Sequence, residues 1–481
     1  MRAPRTIVAT AALAGVAVAA LAACQPTSTL RPSSAPVVLT GARAPGLLGT
    51  VPGRVVAFRH LEEGGAARWE QVPVQVDERA VVAFGSQPPS NATPGVTGTV
   101  YGHGSGGPTA LQYTDASTWV GPDPDPTLDA DDEIVFMASD AGGSASAGSG
   151  TPAGVVAGSG QRVEVRDPRR DGAVGWVYLF RSTGGLDPSA GEDYVRYDVV
   201  LASGAYKSTY RRADGPNPET SRVVTDAYEI GFSDRWKEDV WKVTAGAATE
   251  VDILDGAKNR FALSTCGRSN QTFADAEGAF VANVDGPVRA IRSYVGANSG
   301  PLTQRTHLLY RDREVVLTDL RVHAIPGIMD HLDLSAAALG MSYRSSTLPG
   351  GVQVDGVPDT VPSARPRWEA WNGPQGRVYS RVAFSSTQAT LTTSQFQRDQ
   401  ASPPEDQCWG DGSFYGAAGP EVTGGIADTD PRTSPAARFR AVRTTQFLAP
   451  ASDASKLAAY ADDWARDIEA PLTATVAAYR P

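Results

Sequence analysis

His307-Leu308-Leu309-Tyr310, then Arg311-Asp312-Arg313-Glu314, then Val315 through Ile325: two apolar-rich runs flank a short charged segment. Such a pattern reads as a β-hairpin. With Asp312-Arg313-Glu314 as a three-residue turn, Leu309 falls opposite Leu317, His307 opposite Asp319, Arg305 opposite Arg321 and Thr303 opposite His323. Side chains alternate along a strand. Arg305, His307, Asp319, Arg321 and His323 are therefore expected on one face, with Val316, Leu320 and Val322 on the core face.

The segments on either side carry the same signal. Val288–Val295 follows the turn Asp285-Gly286-Pro287, and Arg438–Leu448 is a further strand candidate. Upstream, Arg54–Phe58, Glu133–Ala138, Gln161–Val165 and Gly175–Phe180 are short apolar runs, the last two a hairpin pair. Trp69–Asp77 alternates, placing Val72, Val74 and Val76 on one face. The Gly/Ser/Ala-rich stretch 139–160 reads as a long mobile loop, and 398–436 as irregular. One clear helix is expected, from Ser452 to Glu469, with Leu457, Tyr460, Ala461, Trp464 and Ile468 at helical spacing. The class is mostly β: a sandwich or supersandwich of antiparallel sheets with one C-terminal helix.

The chain has 481 residues and a net charge of −10. That balance argues against a nucleic-acid partner. Lys occurs five times among 43 basic residues, which leaves Arg as the main cation and the better fork for carboxylates. Gly-x-Ser-x-Gly, His-Glu-x-x-His and a P-loop are all missing.

Met1–Cys24 has a charged start (Arg2, Arg5), an apolar run from Ile7 to Ala20 and the ending Leu21-Ala22-Ala23-Cys24. It resembles the lipobox of bacterial lipoproteins. The resemblance implies a signal peptide over 1–23 and lipidation of Cys24. It also implies anchoring to the outer face of the cytoplasmic membrane, or secretion if Cys24 carries no lipid. Membrane contact would be through the lipid only. With Cys24 so assigned, Cys266 and Cys408 remain as a pair, and an oxidising compartment favours a disulfide between them. Residues 24–36 read as a flexible tether. An N-terminal β domain is expected over 37–185, and a supersandwich-like domain with the C-terminal helix over 186–481.

Two segments, Val72-Pro73-Val74-Gln75-Val76-Asp77-Glu78 and Leu128–Ala138 (LDADDEIVFMA), are together similar to exported bacterial proteins. Some of these resemble polysaccharide-active proteins with β-sandwich or mutarotase-like supersandwich folds. Gly286-Pro287-Val288-Arg289-Ala290 resembles a strand opening of such supersandwiches. The block from Val251 to His307 is similar to a family of uncharacterised exported bacterial lipoproteins. The resemblance implies a fold and a polysaccharide or other cell-surface glycan as partner; it brings no catalytic residues.

From the residues themselves, Arg305, His307, Arg321 and His323 suit an acidic-glycan site, with Arg clamping a uronate and His carrying a proton. The loops near Cys266 add Arg268, Tyr294 and Asn298. Trp236, Trp409 and Tyr415 are candidates for stacking on sugar rings. Asp125, Asp129 and Asp131 lie in an acidic run that suits Ca²⁺, although no cofactor is required. Three readings follow: a lyase on an acidic glycan, a non-catalytic glycan-binding or envelope-organising surface lipoprotein, or a glycoside hydrolase using Asp275 and Glu277.

Overall fold

The computed structural model describes residues 28–30, 35–63, 66–84, 108–146, 148–202, 219–247, 249–263, 266–274, 278–298, 300–403 and 412–481. Among these residues strands dominate, and the sheets are antiparallel. The mostly β expectation holds.

The alternating run Trp69–Asp77 is divided by Pro73, which cannot donate to a ladder, into strands Ala66–Val72 and Gln75–Asp77. The second half joins Glu133–Met137 and Pro36–Thr40 in a three-stranded sheet. The first half edges a five-stranded sheet with Val55–Glu63, Val174–Arg181, Gln161–Arg166 and Thr473–Ala478. The two sheets close over Leu39, Val55, Val74, Ile134, Phe136 and Val177, each worth roughly 1.5–3 kcal/mol of apolar burial. The last strand of the chain therefore returns to the first sandwich and crosses the expected division at 185/186.

The hairpin at 300–320 lies in a nine-stranded sheet. Its order is Ala279–Val284, Ala290–Ala297, Gly300–Tyr310, Arg313–Leu320, Phe439–Leu448, Gly376–Ser386, Glu369–Gly373, Ser342–Ser345 and Leu348–Gln353. Two four-stranded sheets cover its inner face. One contains Tyr228–Asp234 and Lys237–Val243; the other contains Leu254–Arg260, Ile328–Leu334 and Phe414–Val422. Phe232, Trp241 and Leu332 from the covering sheets meet Leu309, Tyr343 and Phe447 in the core. On the outer face, the helix Ala454–Glu469 seats Leu457, Ala461 and Trp464 against Trp368 and Tyr379.

Two expectations change. The stretch 398–436 is not irregular throughout: Phe414–Val422 is a buried strand. Its Gly and Pro content hides it. A Cβ on Gly419 would stand 2.2 Å from the Asp330 carbonyl oxygen, so glycine is what lets this strand pass Ile328–Leu334 so closely. The loop 139–160 is tied to the five-stranded sheet through Gly142 and Gly143.

The second change is the hairpin register. Tyr310 pairs with Arg313, His307 with Val316 and Arg305 with Thr318. The turn is Arg311-Asp312, two residues long. Tertiary contacts hold it: Arg311 Nη2 donates to Asp226 at 2.6 Å, Gln446 donates to Asp312 Oδ2 at 2.8 Å, and the Phe447 amide donates to the Asp312 carbonyl. Relative to the expected pairing the register moves by an odd number of residues, which turns one strand's faces over against the other's.

Candidate functional site

That register separates the expected catalytic set. Arg305 and His307 share the inner face with Glu314, Val316, Thr318 and Leu320; Asp319 and Arg321 point to the outer face. His323 lies beyond the strand and is exposed. Val316, Leu320 and Val322 are buried, as expected.

On the inner face, His307 Nδ1 lies 2.7 Å from Glu314 Oε1 and 3.8 Å from Glu238 Oε2, while Nε2 lies 3.1 Å from the Tyr294 hydroxyl. Tyr294 and His307, both expected site residues, thus do meet. Arg305 spans from the Thr318 hydroxyl to the face of Trp236. All of these groups are buried. Burial, then Arg305 and Arg292, hold the His307 imidazole well below 6.5. Burial, then Glu238, pushes Glu314 well above the usual carboxylate range. The result is an imidazole that burial keeps neutral against a Glu314 carboxyl whose protonated form burial favours, sealed from solvent. It is a polar core network that a glycan does not reach.

The Cys266 loop is tied by the same residues expected to act there. Asn298 Nδ2 donates to the Gly267 carbonyl at 2.9 Å, and Arg268 closes a short 3-10 turn, its carbonyl accepting from the Phe261 amide. These are loop-anchoring roles. Cys24, Cys408, Trp409, Asp275 and Glu277 lie outside the described residues. Trp236 is not a stacking platform: it is 1% exposed, donates to the Gly296 carbonyl and packs edge-on against Tyr294. Tyr415 is half-buried against the core.

The acidic run forms a self-capped turn. Asp129 Oδ1 accepts from the Asp131 and Asp132 amides, and Asp132 accepts from the Asp129 and Arg79 amides. A hydrogen bond shared with Asp129, then burial, pushes Asp131 up to about 6. Carboxylate oxygens of Asp129, Asp131 and Asp132 converge within 4.8 Å. Asp125 is not among them; it caps its own turn at Thr127.

The open site lies on the outer face of the hairpin. A cavity of about 350 Å³ sits between the nine-stranded sheet and the N-terminal sheets. Arg79, Arg289, Arg321 and Arg440 line it, against Glu133 and Asp319. Arg289 is its hub. It donates to Asp77 at 2.9 Å, to Glu133 Oε2 at 2.5 Å and to the Tyr310 hydroxyl at 3.1 Å. Gln75 Oε1 accepts from the Val288 and Arg289 amides while its own amide donates to Asp77. Arg440 grips Asp319 through two bonds, and Arg321 lies against Gln304 and the Phe84 ring.

Burial raises the Asp77 carboxyl against the pull of Arg289. For Glu133 burial acts in the same direction, but Arg289 and Arg79 overcome it and hold that carboxyl below its usual value. Burial, with Glu133 and Asp77 nearby, pushes the Tyr113 hydroxyl upward despite Arg289, so it stays protonated and donates to Glu133 at 2.9 Å. A second hollow of about 170 Å³ shares Asp319, Arg321 and Arg440 and adds Arg438, so the two adjoin as one groove. Among the described residues, Arg321 is the one expected site residue that lines this groove.

No family model matches the chain, and no curated protein matches it. Among solved structures, the heparan sulfate lyase HepC from Pedobacter heparinus aligns at 10% identity with a TM-score of 0.28, over 53% of this chain and 37% of that one. The chain thus spans little more than a third of that lyase's length. A putative aldose 1-epimerase from Escherichia coli K12 aligns at 10% identity with a TM-score of 0.25, over 52% of this chain and 100% of that one.

Proposed function

We propose that this protein binds an acidic polysaccharide in the outer groove without cleaving it. One observation carries the reading: Arg79, Arg321 and Arg440 line the cavity around a buried Arg289, against two lining carboxylates, on a chain whose net charge is −10. Even with Asp77 counted behind Arg289, the groove keeps a cationic excess where the rest of the molecule is acidic. Arg forks suit the planar carboxylate of a uronate or the oxygens of a sulfate. The adjoining hollow extends the groove beyond one sugar. The catalytic alternative loses two candidate bases. His307 is sealed in the core, and the groove tyrosine Tyr113 is held in its protonated form, whereas elimination needs a proton acceptor.

The proposal includes lipid attachment at Cys24 and an extracytoplasmic location, supported by the Leu21-Ala22-Ala23-Cys24 pattern, and a Cys266–Cys408 disulfide, supported by the cysteine count. Among the described residues no helix is long and apolar enough to cross a membrane.

The test is binding of the purified protein to uronate-containing and sulfated polysaccharides beside neutral ones, with ultraviolet absorbance followed for unsaturated product. Acidic chains are expected to bind, more weakly as salt rises, with flat absorbance. Arg440→Ala and Arg321→Ala should each weaken binding about tenfold, the loss of one charge-assisted contact. Equal binding of neutral chains would overturn the reading. Rising absorbance would replace it with a lyase.

A further inference from the structure

An apolar chamber of about 270 Å³ adjoins the groove, walled by the N-terminal sandwich, the nine-stranded sheet and the C-terminal helix. Leu30, Pro36, Leu308, Val315, Ile468 and Leu472 are among its lining residues. Leu308 and Val315 pack at the edge of the core around the nine-stranded sheet, Leu472 at the edge of the N-terminal core, and Ile468 at the edge of the core beneath the helix. Each of these four is only half-buried. Three cores thus converge on one chamber that none of them fills. The charged groups at its rim are engaged: Asp467 pairs with Arg169, Asp167 accepts from the Arg169 amide at 2.9 Å, and Arg313 lies 3.3 Å from Asp312. An apolar space of this size gives water few partners and suits hydrocarbon.

Chamber and groove share a floor and a roof. Along Gly300–Tyr310, Tyr310 and Leu308 border both spaces, while Thr306 and Gln304, on the same face, line the groove. Along Arg313–Leu320 that face runs from Val315 in the chamber to Leu317 and Asp319 in the groove. Along Phe439–Leu448 it runs from Thr444 to Arg440. Opposite them, Pro36 borders the chamber, and Val38, two residues on and 41% exposed, borders the groove. Four strands therefore carry one surface from an apolar end to an arginine end. At a rise of about 3.3 Å per residue, Val315 and Asp319 stand roughly 13 Å apart.

We propose that the chamber takes an aliphatic chain joined to the acidic sugar in the groove, so that the ligand is an anionic glycolipid. This rests on the groove binding an acidic glycan. A bare polysaccharide leaves the chamber unfilled, and a plain hydrocarbon has nothing to offer the guanidinium groups. A sugar acid with a chain attached matches both ends of the surface: the arginines fix the head, and the chain leaves water.

The experiment is calorimetry of the purified protein with octyl β-D-glucuronide, kept below micelle formation, beside butyl β-D-glucuronide, glucuronate and octyl β-D-glucoside. The octyl glucuronide should bind at least tenfold more tightly than each of the other three, since one buried methylene is worth about fourfold. Arg440→Ala should weaken it about tenfold. Ala470→Trp places an indole among the chamber's lining residues and should erase the advantage of the octyl chain while a uronate polysaccharide still binds. Equal binding of the octyl and butyl glucuronides, or of the octyl glucuronide and glucoside, would overturn the proposal and leave the groove reading intact if the polysaccharide binds. Failure of the polysaccharide as well would remove both. Binding seen only in Cys24→Ala would overturn the proposal by assigning the chamber to the chain's own acyl group.

Discussion

Glu314→Gln separates a sealed polar core from a working acid–base site. Folded Glu314 titrates well above 4.5, chiefly from burial and then from Glu238; unfolded, it returns to about 4.5. Between those values the folded chain keeps a proton that the unfolded chain has released. Stability therefore falls as pH rises, by up to about 1.4 kcal/mol per pH unit for one proton. His307 acts in the opposite direction. Its folded value lies well below 6.5, so its contribution grows with pH and levels off above about 6.5. Below that point the two slopes oppose each other, and above it Glu314 acts alone. Glutamine mimics the protonated acid, keeps a hydrogen bond to His307 and cannot ionise. In guanidinium titrations, the variant should lie within about 1 kcal/mol of the native chain below about pH 4.5, where the Glu314 carboxyl is protonated in both states, the worth of one altered neutral hydrogen bond. Above that pH it should gain steadily on the native chain, because folded Glu314 keeps the proton that the unfolded chain releases. Parallel stability curves from pH 5.5 to 8 would refute the reasoning, because Glu314 would then be ionised and solvated.

The other predictions concern packing. Glu219→Gln leaves Arg292, 0% exposed and held by two Glu219 bonds at 2.9 and 2.7 Å, without its carboxylate; a loss of about 3–5 kcal/mol is expected by denaturation, and Glu219→Leu with Arg292→Met should lose less than either change alone. Trp464→Ala removes the anchor of the C-terminal helix on Trp368 and Tyr379 and should cost about 3–5 kcal/mol, with proteolysis mapping to 454–469. Gly419→Ala should destabilise by about 1–3 kcal/mol, read from the denaturation midpoint, since its methyl meets the Asp330 backbone.

The strands were legible wherever short-range alternation carried them. Gln161–Arg166 and Val174–Arg181 pair as expected, and Leu457, Ala461 and Trp464 form the buried stripe of the helix. Phe414–Val422 was not legible, because its glycines serve close approach to a neighbouring strand and locally look like loop. Nor was the parity of the hairpin, which Asp226, Gln446 and Phe447 fix from distant parts of the chain. The groove does have a signal in the sequence. Three of the segments singled out by resemblance meet at one arginine: Gln75 accepts from its backbone amide, and Asp77 from the first segment and Glu133 from the second accept from the guanidinium of Arg289 in the third.

That convergence gives the two faces of the hairpin different work. Inner residues His307 and Glu314 are closed off, so they can influence stability and its pH dependence but not a ligand. Outer residues Gln304, Thr306 and Arg321 meet solvent or the neighbouring sheets, with Gln304 donating to Gln112 at 2.7 Å across the layer boundary. Because alternation has a period of two, moving the turn by one residue would exchange these roles along a whole strand. The anchoring of Arg311-Asp312 by two separate segments therefore protects the groove as much as the core. A substitution that loosens the turn, such as Asp312→Ala, is expected to weaken the proposed acidic-glycan binding, read by titration with a uronate polysaccharide, without replacing any residue that lines the cavity.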